Sequence, residues 1–326
     1  MKKTLIASAI AAATFSGSAL AQESNLPTVY GNIQYAAVWD DTKDGPNSFE
    51  HRDNGSTLGI KHEHALAPGI TGFFKIELEG IGADDKEGSD GIDSLDEAYI
   101  GVKGDSFGQV WIGSDDSTYE RSVDIIAQYY EAADLSLDAG YTTGEGDLVQ
   151  YMSPSFGGLS LWGAVQVKGD GDATNPSDDN EFPYQLAAVY SADMVELALA
   201  MDSNDNGDGD NENTYGLRGT ANLDALSLTA EYHTRSDNYD KFGLMGIYTL
   251  GANRFALSYE LQEEDGGDDL KRDTITVQAL HNLSDNMYVY VEGYLGGGDD
   301  VYDTQDPTNP QSDERSVAAL GAVYYF

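Results

Sequence analysis

Cysteine is absent from the chain, Lys and Arg together number only 17, and proline stands at 8. Beyond the first twenty residues no apolar run approaches the ~20 residues that a membrane-spanning helix needs. The missing thiols exclude a disulfide framework, a cysteine zinc site and thiol catalysis. The scarce bases face 57 Asp and Glu, for a formal charge of −40. That balance disfavours nucleic acid as a partner, because phosphate backbones are bound by Lys and Arg that release counterions. Such a charge also repels itself, so the fold must tolerate or use a strong negative field. Catalytic motifs are missing too: there is no Gly-x-Ser-x-Gly elbow, phosphate loop or His-Glu-x-x-His. The five histidines (His51, His62, His64, His233 and His281) are scattered.

What is present leans toward strands and turns: 37 Gly and 21 Tyr in 326 residues. With 40% hydrophobic residues and a mean hydropathy of −0.42, the chain is neither a bundle of membrane helices nor a disordered polymer. Its start reads as an export signal: basic Met1-Lys2-Lys3, apolar Thr4 to Phe15, and the small-x-small site Ala19-Leu20-Ala21. Cleavage after Ala21 is expected, leaving residues 22–326 as one domain.

That remainder alternates with period two. In Thr28 to Trp39, Val29, Gly31, Ile33, Tyr35, Ala37 and Trp39 fall on one face, and Tyr30, Asn32, Gln34 and Ala36 on the other. At the far end Leu320, Ala322, Tyr324 and Phe326 share a face. Sixteen such segments are expected, at residues 28–40, 55–65, 70–80, 95–104, 108–114, 146–153, 158–168, 183–191, 194–202, 213–221, 224–235, 238–250, 253–262, 272–282, 286–296 and 315–326. Short turns such as Ala67-Pro68-Gly69 alternate with long acidic loops, the asymmetry of an outer-membrane barrel. A secreted β-sandwich or propeller is the alternative. Three features favour the barrel: the aromatic C-terminus, the absence of disulfides despite export, and aromatics near strand ends (Trp39, Trp111, Trp162, Tyr248, Tyr290, Tyr294), read as interfacial girdles.

Several pieces in order resemble general Gram-negative porins: Thr28-Val29-Tyr30-Gly31-Asn32-Ile33, Leu58-Gly59-Ile60-Lys61, Ala98-Tyr99-Ile100-Gly101-Val102, Ser106 to Gly113, and Tyr151 to Leu159. Tyr324-Tyr325-Phe326 is similar to the signal read by the barrel-assembly machinery. The resemblance implies an all-β fold, a 16-stranded antiparallel transmembrane barrel, usually trimeric, whose third extracellular loop folds inward. Here that loop is residues 115–145, with Asp115, Asp116, Glu120, Asp124, Glu131, Asp134 and Asp138 against a lone Arg121. Its apolar stretch Val123, Ile125, Ile126, Tyr129 and Tyr130 is suited to pack on the inner wall.

Porins of this kind set basic wall residues against the acidic loop. This chain departs from that pattern, with Thr57, Asp96, Ser114 and Met152 at the matching places and no base between Thr142 and Leu148. Alternation points Lys61, Lys75, Glu77 and Glu79 into the lumen. Carboxylate rings in a narrow pore favour cations, and a Debye length of ~8 Å leaves their field incompletely screened there. The expected function is therefore an outer-membrane channel for passive diffusion of small hydrophilic solutes, selective for cations. The constriction residues expected are Asp115, Asp116, Glu120, Arg121, Asp124, Asp96, Lys61 and Lys75.

No catalytic residue, cofactor or metal site is expected. His62 and His64 share a face that alternation turns outward. Asp202-x-Asn204-x-Asn206-Gly207-Asp208-x-Asp210 approaches a calcium loop but has Asn213 at position twelve, so loose divalent binding is the expectation. Partners expected are further copies of the chain as a homotrimer, outer-membrane lipid and lipopolysaccharide, the assembly machinery through Phe326, and small solutes and cations. A barrel lipase or protease, or an adhesin or receptor barrel, stands as the alternative function.

Overall fold

The computed structural model describes residues 26–87, 91–92, 94–167, 182–205, 212–265, 270–305 and 310–326. The expected leader 1–21, the loop residues 169–180 and half of the calcium-like run 202–213 lie outside them. The first part of the chain forms β1 (Thr28–Thr42), β2 (Asn47–Asp53), β3 (Thr57–Ala67), β4 (Ile70–Glu79), β5 (Ser94–Gly104), β6 (Gly108–Ser114) and a short helix α1 (Thr118–Val123). Next come β7 (Leu148–Met152), β8 (Leu159–Gln166), β9 (Tyr184–Ala192), β10 (Val195–Asp202), β11 (Thr214–Leu223) and β12 (Leu226–Arg235). The last are β13 (Tyr239–Leu250), β14 (Asn253–Glu264), β15 (Lys271–Asn282), β16 (Met287–Asp303) and β17 (Gln311–Tyr325).

All pairings are antiparallel, and the last strand returns to the first, from Asn32 opposite Tyr325 to Thr42 opposite Arg315. The seam is sewn at its end by Gly31 N to Phe326 O at 3.2 Å and Phe326 N to Gly31 O at 3.1 Å. β2 pairs with the distal half of β1 and β3 with its proximal half, so the two form one stave. The result is a closed cylinder of sixteen staves. Closure satisfies every ladder without an exposed edge, which hydrocarbon demands of any strand-built span.

The two ends differ. Seven turns at one end, such as Pro68-Gly69 and Gly251-Ala252, contain only two to six residues. Asp193, Asp224 and Gly251 each take a positive φ as the first of two turn residues (22°, 57° and 60°), the left-handed step that tight hairpins require. Most connections at the other end are longer, the largest being residues 115–147 between β6 and β7.

Burial decides between barrel and sandwich. On β14, Phe255, Leu257 and Tyr259 are exposed while Ala256, Ser258 and Glu260 are covered. Thr274, Thr276 and Gln278 on β15 and Glu292 on β16 are likewise covered, while Ile275, Val277 and Val291 are not. A water-soluble sandwich would bury the apolar set. Here it faces outward, as lipid contact requires.

The expected segments match the staves closely, with three corrections. The chain at 47–53, taken as loop, is the hairpin partner of β1. Of the run 297–314, also taken as loop, residues 297–303 and 311–314 continue β16 and β17, with a register shift between Gly297 and Tyr302. Four of the six aromatics assigned to girdles point inward: Trp111, Tyr290 and Tyr294 are buried and Trp162 packs against buried residues. They share the parity of the polar face, which outweighs nearness to a strand end. Trp39 and Tyr248 do face outward, joined by Tyr184, Tyr190, Tyr215, Phe242, Phe255 and Tyr324.

Candidate functional site

Residues 115–147 run along the inner face of the cylinder. A buried loop must satisfy its own peptide groups, and the wall supplies the partners. Glu231 Oε1 accepts from Ile125 N at 2.9 Å and Ile126 N at 3.2 Å. Glu292 accepts from Glu131 N at 2.8 Å and Ala132 N at 2.9 Å. Gln185 Oε1 accepts from Tyr119 N at 3.0 Å, and Arg218 Nε donates to Ser122 O at 2.8 Å. The break in the second stave has its own use, since Asn54 Nδ2 there donates to Glu131 O at 2.6 Å. Val123, Ile126, Tyr129, Tyr130, Leu135 and Leu137 are buried between loop and wall. The expected apolar packing surface is therefore present, except that Ile125 is only half-buried. These contacts press the loop onto the staves from β9 to β17.

The opposite wall, β3 to β6, carries charge. Lys75 lies between Glu77, at 3.2 Å, and Glu97, which it touches more closely. Tyr30 donates its hydroxyl to Glu77, and Lys61 Nζ sits 4.5 Å above the Tyr30 ring. Lys103 pairs with Glu63 at 2.6 Å. Asp96 is the extra residue of a register shift opposite Glu77 and Leu78. The shift brings it within electrostatic reach of Glu77, Glu79 and Asp116 without losing Glu97 from the inner face. From the loop side, Asp115 accepts from Trp111 Nε1 at 2.6 Å and pairs with Arg121 at 3.3 Å. Carboxylate oxygens of Glu97, Asp115 and Asp116 lie within 4.8 Å of one another.

Crowding of like charge marks the loop. Burial, with Asp116 and Glu145 nearby, pushes the Glu120 carboxyl up to about 8, despite a hydrogen bond from Tyr141. Glu131 rises to about 7 through burial and the Glu292 charge. Burial and Asp116 also raise Asp115, against the pull of Arg121.

Of the expected constriction residues, the geometry brings together Asp96, Lys75, Asp115, Asp116 and Arg121, with Lys61 directly opposite Lys75 on the neighbouring stave. Glu120 lies behind them on Tyr141. Asp124 belongs elsewhere: it is fully buried and bound to Lys241 Nζ at 2.7 Å, so it faces no water-filled space. His62 and His64 stack together at 5.6 Å on the outward side, as alternation indicates. Sequence reasoning missed Glu97 because it took Asp96 by its place five before Gly101, although alternation from Tyr99 and Gly101 already turns Glu97 inward. It also missed the latching residues Glu231, Glu292, Gln185 and Lys241. Their lumen parity was the available signal.

A closed sixteen-stave cylinder with a loop along its inner face and charged side chains on the wall beside it is the geometry of a diffusion channel. The family description "Gram-negative porin" matches residues 7–300. The chain belongs to that family. A monosaccharide porin of a Halomonas species and a major outer membrane protein of Halomonas elongata are each 29% identical to it over the whole of both chains. Among solved structures, OmpF of Salmonella typhi superposes with a TM-score of 0.71 at 19% identity, covering 92% of this chain and 97% of that one. The anion-selective porin of Comamonas acidovorans gives 0.69 at 17% identity, over 92% and 99%. Both likenesses concern the fold. This porin is thus an integral outer-membrane channel and not an enzyme.

Proposed function

We propose that this porin passes small hydrophilic solutes by diffusion and prefers cations. One observation carries the reading. Around the gap between the loop and β3 to β5 stand six carboxylates (Glu77, Glu79, Asp96, Glu97, Asp115 and Asp116) against Lys61, Lys75 and Arg121. Fixed charge of one sign in a low-dielectric constriction concentrates counterions and repels co-ions. The fold does not decide the sign, since an anion-selective relative in structure shares it. The sign follows from which side chains line the gap.

Neutral sugars would pass the same opening, in keeping with the name of the Halomonas relative. Three copies per assembly are proposed, as in the trimer form of the Vibrio cholerae neighbour. Export is proposed to remove residues 1–21, and Phe326 to present the chain to the assembly machinery.

The test is the reversal potential of reconstituted channels across a potassium chloride gradient. Potassium should be preferred, and the double variant Glu97→Gln, Asp116→Asn should reduce that preference. A reversal potential of the anion-selective sign would end the proposal. Liposome swelling with hexoses checks the solute range.

A further inference from the structure

One cluster on the wall has no part in conduction. Asp124 of the loop, Glu231 and His233 of β12, Lys241 of β13 and Glu260 of β14 are all buried to 0–1% exposure. His233 holds its Nδ1 at 2.8 Å from the Tyr119 hydroxyl. Its other nitrogen, Nε2, has no hydrogen-bond partner. That atom stands 3.7 Å from Asp124 Oδ1 and 3.7 Å from Glu231 Oε2. These separations are too long for hydrogen bonds, yet the three atoms converge within 4.8 Å of one another. Two ligands bonded at ~2.1 Å to a tetrahedral ion stand ~3.4 Å apart. A contraction of a few tenths of an ångström at His233, and of at most about 1.4 Å between the two carboxylates, would place all three around one ion.

Charge points the same way. Three carboxylates share the cluster with a single ammonium, and Arg218, opposite Glu231 in the ladder, is taken up by Glu196 at 2.5 Å. With a neutral imidazole the five groups carry two uncompensated negative charges, which burial makes costly. A divalent cation restores balance. The surroundings also hold each donor as outer-shell contacts hold metal ligands. Asp124 Oδ2 accepts from Ala139 N at 2.7 Å, Glu231 Oε1 from Ile125 N at 2.9 Å, and Tyr119 orients the ring. Lys241, now 2.7 Å from Asp124 Oδ1, lies 3.2 Å from Glu260 Oε1. Neither Glu260 oxygen has a hydrogen-bond partner, so the ammonium has a carboxylate to turn toward when an ion takes Asp124.

We propose that Asp124, Glu231 and His233 bind one divalent transition-metal ion that pins the loop to the wall. One imidazole with two carboxylates suits zinc and its first-row neighbours, whereas calcium and magnesium take all-oxygen sets. The site departs from the expectation of no metal because that reading saw five scattered histidines and could not place His233 beside the loop.

The full chain is refolded in detergent with and without Zn2+, dialysed against a weak chelator, and measured for metal by plasma mass spectrometry and for barrel melting by heat-dependent gel migration. The wild type should keep ~1 zinc per chain and melt higher when loaded. Co2+ in its place should give the visible absorption of a tetrahedral nitrogen–oxygen site. His233→Phe and, separately, His233→Gln should lower retention at least ~10-fold while His62→Phe does not, each scored on the folded band alone. Zinc retention by the wild type below ~0.1 per chain, or equal retention by both His233 variants, overturns the proposal. Either result leaves the selectivity reading standing, since that rests on the β3 to β5 side.

Discussion

Glu292 is among the most heavily used groups in the latch. Its carboxylate accepts from Glu131 N at 2.8 Å, Ala132 N at 2.9 Å, Gln278 Nε2 at 2.7 Å and Tyr294 OH at 2.7 Å. Glu292→Ala removes all four acceptor contacts together, and two of the stranded donors are peptide groups of the loop. Each buried donor left unmade costs about 1–3 kcal/mol, less where pore water reaches it, so a total loss of about 3 kcal/mol in loop seating follows. That corresponds to roughly a 150-fold shift toward the detached segment. Asp124 and Glu231 still hold the loop's first half, so the barrel itself should fold. The detached part contains Tyr129 and Tyr130, both chymotrypsin sites. Limited proteolysis of folded protein in detergent should cut there far faster in Glu292→Ala, and single-channel records should gain open-state noise. Glu292→Gln, which keeps one oxygen and the shape, should fall between. Wild-type resistance to chymotrypsin together with unchanged current noise in Glu292→Ala would refute the latch argument.

Three further outcomes are expected. Glu120 and Glu131, raised by burial to about 8 and about 7 from an ordinary 4.5, bind their protons more tightly folded than unfolded. Their contribution to stability is therefore full below pH ~4.5 and is lost as pH rises through the folded values. Melting should fall between pH 5 and 9 while cation preference rises between pH 6 and 9, read by melting curves and reversal potentials. A Cβ at Gly321 would sit 2.2 Å from the Tyr290 ring, which lies across that glycine. Gly321→Ala should thus cost about 1–3 kcal/mol of overpacking, seen as a lower melting temperature on gels. Leu199, 59% exposed on the lipid side, should tolerate Phe, whereas Leu199→Arg should cost about 2–4 kcal/mol near the bilayer centre, checked by urea unfolding in lipid vesicles.

The staves were legible because a strand's two faces are written into consecutive residues. Val195, Leu197 and Leu199 declare a lipid face without reference to any other strand, and Phe326 marks the seam. Legibility failed where one residue breaks the count. Asp96, taken as the wall acid by its place before Gly101, is the extra residue of a register shift, while Glu97 beside it holds the inward parity of Tyr99, and the aromatics Tyr290 and Tyr294 were assigned by nearness to a strand end when parity had already turned them inward. The site was half readable on the same grounds. Alternation placed Lys61, Lys75, Glu77 and Glu79 on the inner face, but nothing along the loop separates Asp115, which meets Glu97 and Asp116, from Asp124, which is sealed against Lys241.

Local order therefore settled what the chain alone could settle: most strand positions, the two faces of each strand and the excess of acid. Partnership across the barrel was decided only by the tertiary structure. Asp124 meets Lys241, 117 residues away, because the registers of the intervening staves add up to bring them level. Such a sum depends on every turn length and register shift along the way, so no window of sequence contains it.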